Sequence, residues 1–272
     1  MIALLCAGGY IVYTEFFTKK EESKINENKN ESINDTKTNE ELSLSQLENF
    51  SMIYNFVDRS IVNNSMMAHM PLNNQPDYFY KQDKLYVSEM RSDVLFSMVT
   101  SYLQLGKGDV NKLWIDNNTI KNIFIRLFNN YAKYNPGNYK FSVWNYQYSK
   151  EEDLYRAEFM SIGNVVVTQR VNKLIKVIKT KDTIEVYDLI AYIAPDGKGS
   201  LNICAEGCGD CKAEQFKRCT ALKKTDINEQ GRFTGNLEDY KDNLDQYKYI
   251  FKLNTDGNYY FYGVERVLNK WG

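Results

Sequence analysis

Apolar residues recur with a helical period in the first part of the chain's folded region and with a strand period in the second. Between Leu47 and Ile61 they stand three or four positions apart, behind Ser43 or Ser45 as a candidate N-cap. The pattern ends at Asn63-Asn64. We therefore predict one amphipathic helix in this stretch.

Two more helices are predicted before the period changes. One begins at Ser88 and runs to about Leu105, where Gly106 stops it. The other runs from Thr119 to about Asn129. Its apolar stripe, which we expect to be buried against a sheet, consists of Ile120, Ile123, Phe124, Leu127 and Phe128.

Beyond Pro136-Gly137 the apolar period becomes two, which is typical of β-strands. Lys181-Asp182 is a predicted tight turn, and Thr255-Asp256-Gly257 indicates a hairpin because glycine tolerates a positive φ. A short helix is expected from Asn236 to Gln246. The predicted strands are Asn138–Ser149, Leu154–Met160, Val165–Thr180, Thr183–Ala194, Tyr247–Leu253 and Asn258–Val267.

Helices followed by such strands predict an α+β fold, in which the N-terminal helices pack on a curved antiparallel sheet. The order of elements resembles that of cystatin-like and nuclear transport factor 2-like cone folds, and this resemblance implies no catalytic residues. We expect three regions: an apolar membrane anchor or signal segment at 1–17, a disordered polar tether at 18–42, and a globular domain at 43–272. The domain carries a cysteine-rich insertion at 195–235.

The leader from Met1 to Phe17 is almost wholly apolar up to Glu15. Its length is at the lower edge of what a membrane-spanning helix needs, so an uncleaved anchor, a signal-peptide core and an apolar helix of the globular core all fit it. Lys19 to Glu41 is polar except for Ile25 and Ile33, and cannot bury enough surface to offset the entropy of ordering. We expect a domain tethered to the cell membrane, on its extracytoplasmic side.

The charges are nearly balanced, with 34 basic and 35 acidic residues. This balance gives no basic surface for nucleic acid, and we expect no such partner. The composition, rich in Asn, Lys and Tyr, resembles that of uncharacterised membrane-anchored surface proteins of AT-rich Gram-positive bacteria. The resemblance implies contact with the membrane through the N-terminal segment, and a cell-envelope glycan or protein as partner.

Four of the five cysteines are crowded together as Cys204, Cys208, Cys211 and Cys219. Such crowding indicates two disulfides, a metal site or a redox-active pair. The expected location of the domain outside the cytoplasm, where disulfides persist, favours two disulfides. The longer links should involve Cys204 and Cys219, because pairing Cys208 with Cys211 closes only a small ring, but the sequence leaves the connectivity open. A structural zinc bound by all four thiolates is the alternative cofactor.

The run Cys208-Gly-Asp-Cys211-Lys212 resembles the active site of thioredoxin-type oxidoreductases, which implies Cys208 as the nucleophile and Cys211 as the resolving thiol. That fold also needs a facing cis-proline, whereas no proline follows Pro195 here. Cys204-x3-Cys208-x2-Cys211 has the spacing of radical-SAM enzymes, but the large barrel of those enzymes cannot fit in the remaining chain. A thiol–disulfide redox or metal-binding role at the four cysteines is the alternative function.

His69 is the only histidine, and it lies in the methionine-rich run Met66–Met70. Thioether and imidazole ligands suit Cu(I), although such a run is also typical of the apolar end of a helix. A single histidine excludes a multi-histidine zinc site, and allows a Ser-His-Asp triad only with His69 as its base. We assign no catalytic residue and expect the chain to bind a partner rather than to catalyse a reaction.

An aromatic row is the candidate binding surface. Trp144, Tyr146 and Tyr148 share one face of a predicted strand. If this row is open, it could stack on sugar rings or receive a peptide, whereas under helices it would be core. The residues predicted on the opposite face are Tyr139, Phe141 and Val143. The sequence thus predicts a membrane-tethered extracytoplasmic binding or structural domain whose ligand it does not specify.

Overall fold

The structure is a computed structural model, and it describes residues 39–58, 83–103, 112–129, 132–141, 144–159, 169–195, 200–206 and 217–267. All of them belong to one compact unit, Lys37–Gly272. The predicted leader at 1–17, most of the predicted tether, and His69 lie outside the described residues.

The described residues form two antiparallel sheets and four α-helices, which confirms the α+β class. The main sheet consists of β1 (Glu40–Leu42), β2 (Lys84–Tyr86), β7 (Gln169–Lys179), β8 (Thr183–Pro195), β9 (Leu201–Glu206), β10 (Lys217–Ala221), β11 (Gln246–Leu253) and β12 (Tyr259–Val267). The small sheet consists of β3 (Lys112–Asp116), β4 (Tyr139–Phe141), β5 (Trp144–Ser149) and β6 (Leu154–Phe159). The helices are α1 (Leu44–Leu47), α2 (Ser51–Asp58), α3 (Ser92–Tyr102) and α4 (Asn117–Phe128). Short 3₁₀ helices occupy Val87–Glu89, Lys224–Asp226 and Leu237–Asn243.

The main sheet has the order β1-β7-β8-β11-β12-β2, and β8 pairs with three of its strands, β7, β11 and β9. The first part of β8, from Thr183 to Leu189, pairs with β11, and its last part, from Tyr192 to Pro195, pairs with β9. Strand β10 then pairs with the other edge of β9. The small sheet has the order β3-β6-β5-β4.

The helices begin where local capping dictates. Ser43 caps α1 in a capping box with Gln46, as one of the two predicted caps, but the predicted single helix is divided into α1 and α2. The helix predicted to begin at Ser88 begins at Ser92 as α3, and a 3₁₀ turn at Val87–Glu89 precedes it. Helix α4 starts two residues earlier than predicted, because the Asp116 carboxylate accepts a hydrogen bond from the Thr119 N–H at 2.7 Å. All five residues of its predicted apolar stripe are buried.

The predicted strand Asn138–Ser149 is wrong, and the error changes which side chains share a face. Asn138–Ser149 forms two strands, β4 and β5, which pair antiparallel with Phe141 opposite Trp144 and Tyr139 opposite Tyr146. Residues that are directly opposite in an antiparallel pair point to the same face. The reversal therefore brings Tyr139 to the same face as Tyr146, although the sequence pattern placed them on opposite faces.

The predicted boundaries at 43 and at 195–235 also change. Glu40–Leu42, which we placed in the tether, forms β1 and pairs with β7, with Leu42 opposite Val177. Part of the predicted cysteine-rich insertion belongs to the main sheet as β9 and β10. Both stretches therefore contribute strands to the main sheet, although their polar and glycine-rich composition gave no sign of them.

Each face of the main sheet carries a core. On one face, Phe56 of α2 packs against Phe251 and Phe261 with ring centroids 5.6 and 4.9 Å apart, and Phe96 of α3 packs against Tyr146 of the small sheet at 5.2 Å. The 3₁₀ helix at Leu237–Asn243 covers part of the other face. That second core contains Leu189, Ala191, Ile193, Ile203, Ala205, Leu237, Tyr240 and Leu244. In the part of the chain that the structure describes, no helix is long and apolar enough to span a membrane.

Candidate functional site

A disulfide joins Cys204 to Cys219, with an S–S distance of 2.04 Å, which confirms that the cluster contains a disulfide and gives a connectivity that the sequence left open. The two residues are directly opposite each other in β9 and β10. Cys204 is fully buried in the main core, whereas Cys219 is exposed. Cys208 and Cys211 lie outside the described residues. The bond is therefore a cross-strand link at the end of the sheet.

The burial of Cys204 favours a structural role for this bond over a redox role. A thiolate can attack only the exposed Cys219 sulfur, and this attack would expel the Cys204 thiolate into an apolar core that disfavours the charged form. Two sulfurs bonded to each other also cannot act as thiolate ligands. The alternative zinc site with all four cysteines therefore cannot form while this bond is intact. Among the described residues, no group of three or more metal-ligating side chains comes together.

The aromatic row of the small sheet faces the core. Tyr146 is 1% exposed, and Trp144 and Tyr148 are half-buried and packed against the main core. Burial raises the pKa of Tyr146 to about 12, in part opposed by a hydrogen bond with Thr100. This placement corresponds to the core alternative of the sequence analysis rather than to an open row.

A polar network lies beside this row, at the edge of the small sheet. Asn117 donates to the Asp153 carboxylate at 2.8 Å, and its side-chain oxygen accepts from the Tyr134 hydroxyl. The hydroxyls of Tyr134 and Tyr155 are 3.0 Å apart, and Tyr148 donates to Asp153 at 2.7 Å. Burial, with the Tyr155 hydrogen bond, raises the pKa of Tyr134. The network holds the start of α4 against the β5–β6 turn, so its role is structural.

The main sheet carries an ion network on the face that does not pack against α2 and α3. Lys248 Nζ lies 2.8 Å from Glu265 Oε2 and 3.4 Å from Glu185 Oε1. The Tyr86 hydroxyl donates to Glu265 at 2.8 Å, and this bond, followed by burial, raises the pKa of Tyr86 to about 12. Because these charges satisfy one another, the network offers no unpaired group to a ligand.

A cleft of about 590 Å³ lies beside the last turns of α4, where three segments meet. Its walls are the start of α2, the exposed side of α4, and the turn between β11 and β12. We call it the asparagine cleft, because five of its lining residues are asparagines: Asn49, Asn122, Asn129, Asn254 and Asn258. Its other lining residues are Phe50, Ser51, Met52, Ile53, Ile125, Arg126, Asp256, Gly257 and Tyr259.

Local turn chemistry shapes the hairpin wall of the cleft. Asn254 Oδ1 accepts hydrogen bonds from the backbone N–H groups of Asp256 and Asn258, at 3.0 and 2.8 Å. Gly257 has a φ of +77°, as the predicted hairpin requires. This wall presents Asp256 and Asn258 to solvent beside the cleft.

The floor of the cleft is aromatic and its rim is polar. The rings of Phe50 and Tyr259 meet edge to face at 5.7 Å, and both residues are half-buried. Arg126 and Asp256 are the charged residues that line it, and both are exposed. Among the described residues, neither side chain has a hydrogen-bond or ion-pair partner. The cleft therefore combines neutral amides with one unpaired cation and one unpaired anion.

No family model, curated protein or solved structure matches this chain in any of the three comparisons made. The resemblances inferred from the sequence therefore stay predictions, and a function has to be argued from the geometry of the site itself.

The residues of the asparagine cleft were missed by the sequence analysis. The hairpin signal around Gly257 was predicted, but no local pattern indicates that this turn meets α4 and the start of α2. The five asparagines lie far apart in the chain and were interpreted only as a bias of composition. Only the tertiary arrangement makes a site of them.

Proposed function

We propose that this chain is a membrane-tethered, extracytoplasmic binding domain whose ligand is a neutral glycan of the cell envelope, held in the asparagine cleft. The observation that carries the proposal is the set of amide side chains around an aromatic floor. A cleft in which several polar side chains converge beside aromatic surface is a candidate ligand-binding site.

The chemistry of the cleft suits a sugar better than other ligands. The exposed amides of Asn49, Asn122 and Asn258 offer both donors and an acceptor, which matches hydroxyl and acetamido groups that both donate and accept. The rings of Phe50 and Tyr259 offer apolar surface to the C–H groups of a sugar ring. Arg126 and Asp256 can add charge-assisted hydrogen bonds to hydroxyls while the net charge of the lining stays zero.

Other ligand classes fit less well. A nucleotide or another polyanion would need several cations, and the cleft has Arg126 alone. A divalent cation would need several carboxylates, and hydrolysis of a glycan would need two, whereas the lining contains only that of Asp256. Binding without chemistry is therefore the function that the cleft supports best.

The proposed location rests on the sequence and on the disulfide. The apolar segment at 1–17 and the polar stretch after it are typical of an anchor and a tether. A disulfide such as Cys204–Cys219 persists in oxidising compartments, which agrees with an extracytoplasmic domain.

Calorimetric titration of the detergent-solubilised full-length chain with a tetrasaccharide of N-acetylglucosamine tests the proposal. Asn122→Ala and Asn258→Ala should each weaken binding about three- to tenfold, the cost of one lost hydrogen bond. Gln230→Ala removes an exposed amide from the distant 222–245 segment and should leave the affinity unchanged. Absence of binding, or equal affinity in all variants, would contradict the proposal.

A further inference from the structure

Strand β3 lies at one edge of the small sheet. It pairs with β6 along its whole length, from Lys112 to Asp116. Among the described residues, no strand pairs with the other side of β3, and the following helix α4 is the one further element in extensive contact with it. An open strand edge presents a row of N–H and C=O groups that can pair with another chain.

The pairing with β6 determines which backbone groups face the open edge. Asn117, the residue after β3, donates its N–H to the Asp153 carbonyl at 3.1 Å. Along an antiparallel pair, residues bonded to the neighbouring strand alternate with residues whose N–H and C=O point away from it. The register from Asp116 back to Lys112 has no bulge. Ile115 is therefore bonded to β6, and Trp114 directs its N–H and C=O to the open edge.

The side chain at the centre of this edge is a large aromatic one. Trp114 is 59% exposed, although Ile115 beside it is buried. The Arg156 guanidinium lies over one face of the indole, with Cζ 5.7 Å from the ring centre. Natural edge strands usually carry a bulge, a proline or an inward-pointing charge that prevents pairing with another chain. The centre of β3 has none of these, and its tryptophan adds apolar area to any such pairing.

The sequence of β3 is complementary to itself in an antiparallel pairing. It reads Lys-Leu-Trp-Ile-Asp. A two-fold axis at Trp114 places this residue opposite the partner's Trp114, and it places Lys112 opposite Asp116 of the partner subunit. Because such an interface is symmetric, the basic–acidic pair occurs twice. Aromatic pairs and pairs of opposite charge stabilise strands when they lie directly opposite each other.

The other edge strands that the structure describes lack this complementarity. The same operation on β1 places Glu41 opposite the partner's Glu41, and on β4 it places Lys140 opposite the partner's Lys140. Like charges directly opposite each other destabilise a strand pair. Strands β2 and β10 contain basic residues but no acidic residue that could face them. The complementarity therefore favours a second copy of this chain as the partner of β3.

We propose that the chain forms a symmetric dimer in which β3 pairs antiparallel with β3 of a second copy. The two small sheets then form one continuous sheet, with four strands from each copy. The Trp114 N–H groups of both copies donate across the two-fold axis to the carbonyl of the facing Trp114. This inference goes beyond the proposed function, because it concerns a different surface. A dimer carries two asparagine clefts, which raises the avidity for a polymeric glycan that reaches both.

Amide hydrogen exchange, resolved to single residues, tests the pairing in the detergent-solubilised full-length chain. The Trp114 amide should exchange about tenfold more slowly at a concentration that favours the dimer than at high dilution. The Ile115 amide, which is bonded to β6 in both states, should not change. Two chains that share a micelle without pairing do not produce this contrast between neighbouring residues. An unchanged Trp114 amide, or one that is equally slow at every dilution, overturns the proposal.

Substitutions on the edge give a second test, with the dissociation constant of the dimer measured by sedimentation equilibrium. Trp114→Ala should raise this constant at least about tenfold, because it removes the central side chain of both copies. Lys112→Glu should raise it about three- to tenfold, since two attractive pairs become repulsive. Circular dichroism verifies that both variants are folded.

The matched control is Lys140→Glu, which makes the same charge reversal at an exposed residue of β4, the opposite edge of the same sheet. It should leave the dissociation constant unchanged. A wild type that is monomeric at every concentration overturns the proposal. A dimer that the Trp114 and Lys112 variants do not weaken, or that Lys140→Glu weakens equally, also overturns it. Calorimetric titration with the glycan remains a separate measurement, so failure of the dimer leaves the asparagine cleft untouched.

Discussion

At the scale of single residues, Gly263 lies where two strands leave no space for a side chain. A Cβ at this position would come within 2.7 Å of the Tyr86 ring and 2.8 Å of the Leu85 carbonyl oxygen. The ring of Tyr86 occupies the space above the glycine, opposite it in β2. The backbone oxygen cannot move aside without disturbing the pairing of β2 with β12.

Gly263→Ala should therefore destabilise the domain by about 1–3 kcal/mol, the usual cost of overpacking. This cost exceeds the gain of about 0.4–1 kcal/mol that the lower entropy of the unfolded chain gives an alanine. Urea unfolding measures the difference. Gly137→Ala is the control, because nothing lies within 4 Å of its added Cβ, and it should be neutral or stabilising. Equal effects of the two substitutions would contradict this explanation.

A second prediction at this scale concerns pH. Burial alone would raise the pKa of Glu265, but the bonds from Lys248 and Tyr86 outweigh it and lower that pKa below its usual 4.5. Burial would likewise lower the pKa of Lys248, but its bonds to Glu265 and Glu185 raise it above 10.5. The stabilisation by Glu265 is thus present above pH 4.5 and lost as the pH falls through its lower folded pKa. That by Lys248 is present below pH 10.5 and lost as the pH rises through its higher folded pKa.

Lys248→Met should therefore lower the free energy of unfolding by about 1.5–3 kcal/mol near neutral pH, as expected for hydrogen bonds between charged groups. The difference from wild type should shrink in acid, where Glu265 is protonated, and in strong alkali. Urea titrations at several pH values measure it. Lys252→Met serves as control, because Lys252 contacts the Tyr262 ring rather than a carboxylate. A difference that does not vary with pH would exclude the ion network as its source.

The sequence predicts a residue's environment when the evidence lies in its near neighbours along the chain. The α4 stripe, with Phe124 only 3% exposed, follows from helical spacing alone. The crowding of four cysteines indicated a disulfide, but the pairing of Cys204 with Cys219 comes from the register of β9 and β10, which the sequence does not reveal. The exposed Trp114 and the residues of the asparagine cleft could not be found in this way, because their surroundings come from distant segments.

At the scale of elements, long strands were predicted well and short ones were missed. The β7–β8 and β11–β12 hairpins have enough alternating residues and clear turn signals to be recognised. Strands β1 and β2 have three residues each, too few to reveal a period of two. The reversal between Phe141 and Trp144 was missed because the alternation of side chains continues across it without a glycine or proline.

The Cys204–Cys219 disulfide should stabilise the pairing of β9 with β10. Closing the 15-residue separation between Cys204 and Cys219 should contribute about 2–4 kcal/mol to stability, chiefly by restricting the unfolded chain. Cys219→Ser should lower the free energy of urea unfolding by this amount. The wild type in reductant should fall to the stability of the variant. A variant as stable as the oxidised wild type would mean that the bond does not support the fold.

At the scale of the whole molecule, the domain extends N-terminally beyond the boundary that composition indicated. Leu42 is 6% exposed in the main core, and Glu40 lies 3.5 Å from Lys179. The ion pair is exposed and contributes little, so the burial of Leu42 dominates the contribution of β1. The polar stretch before it obscures this strand, because one buried leucine carries no periodic signal.

Two truncations test this boundary. A chain that starts at Lys37 keeps β1 and should unfold like the full-length domain. A chain that starts at Ser43 loses the burial of Leu42 and should be about 1.5–3 kcal/mol less stable. Thermal unfolding of both chains, followed by circular dichroism, measures the difference. Equal stability of the two would place the domain boundary at Ser43, as composition indicated.

The short β1 strand also gives the domain a mechanical property. A pull on the chain from its N-terminal side reaches the described part of the domain at β1, a strand of three residues, whereas β7, with which it pairs, has 11. The three pairs with β7 therefore yield first, and their release lengthens the chain by about 10 Å at some 3.3 Å per residue. In single-molecule force spectroscopy this should be a small extension that precedes unfolding and recovers on relaxation. β1 thus detaches and extends at a lower force than the rest of the domain, and it does so before the asparagine cleft is strained.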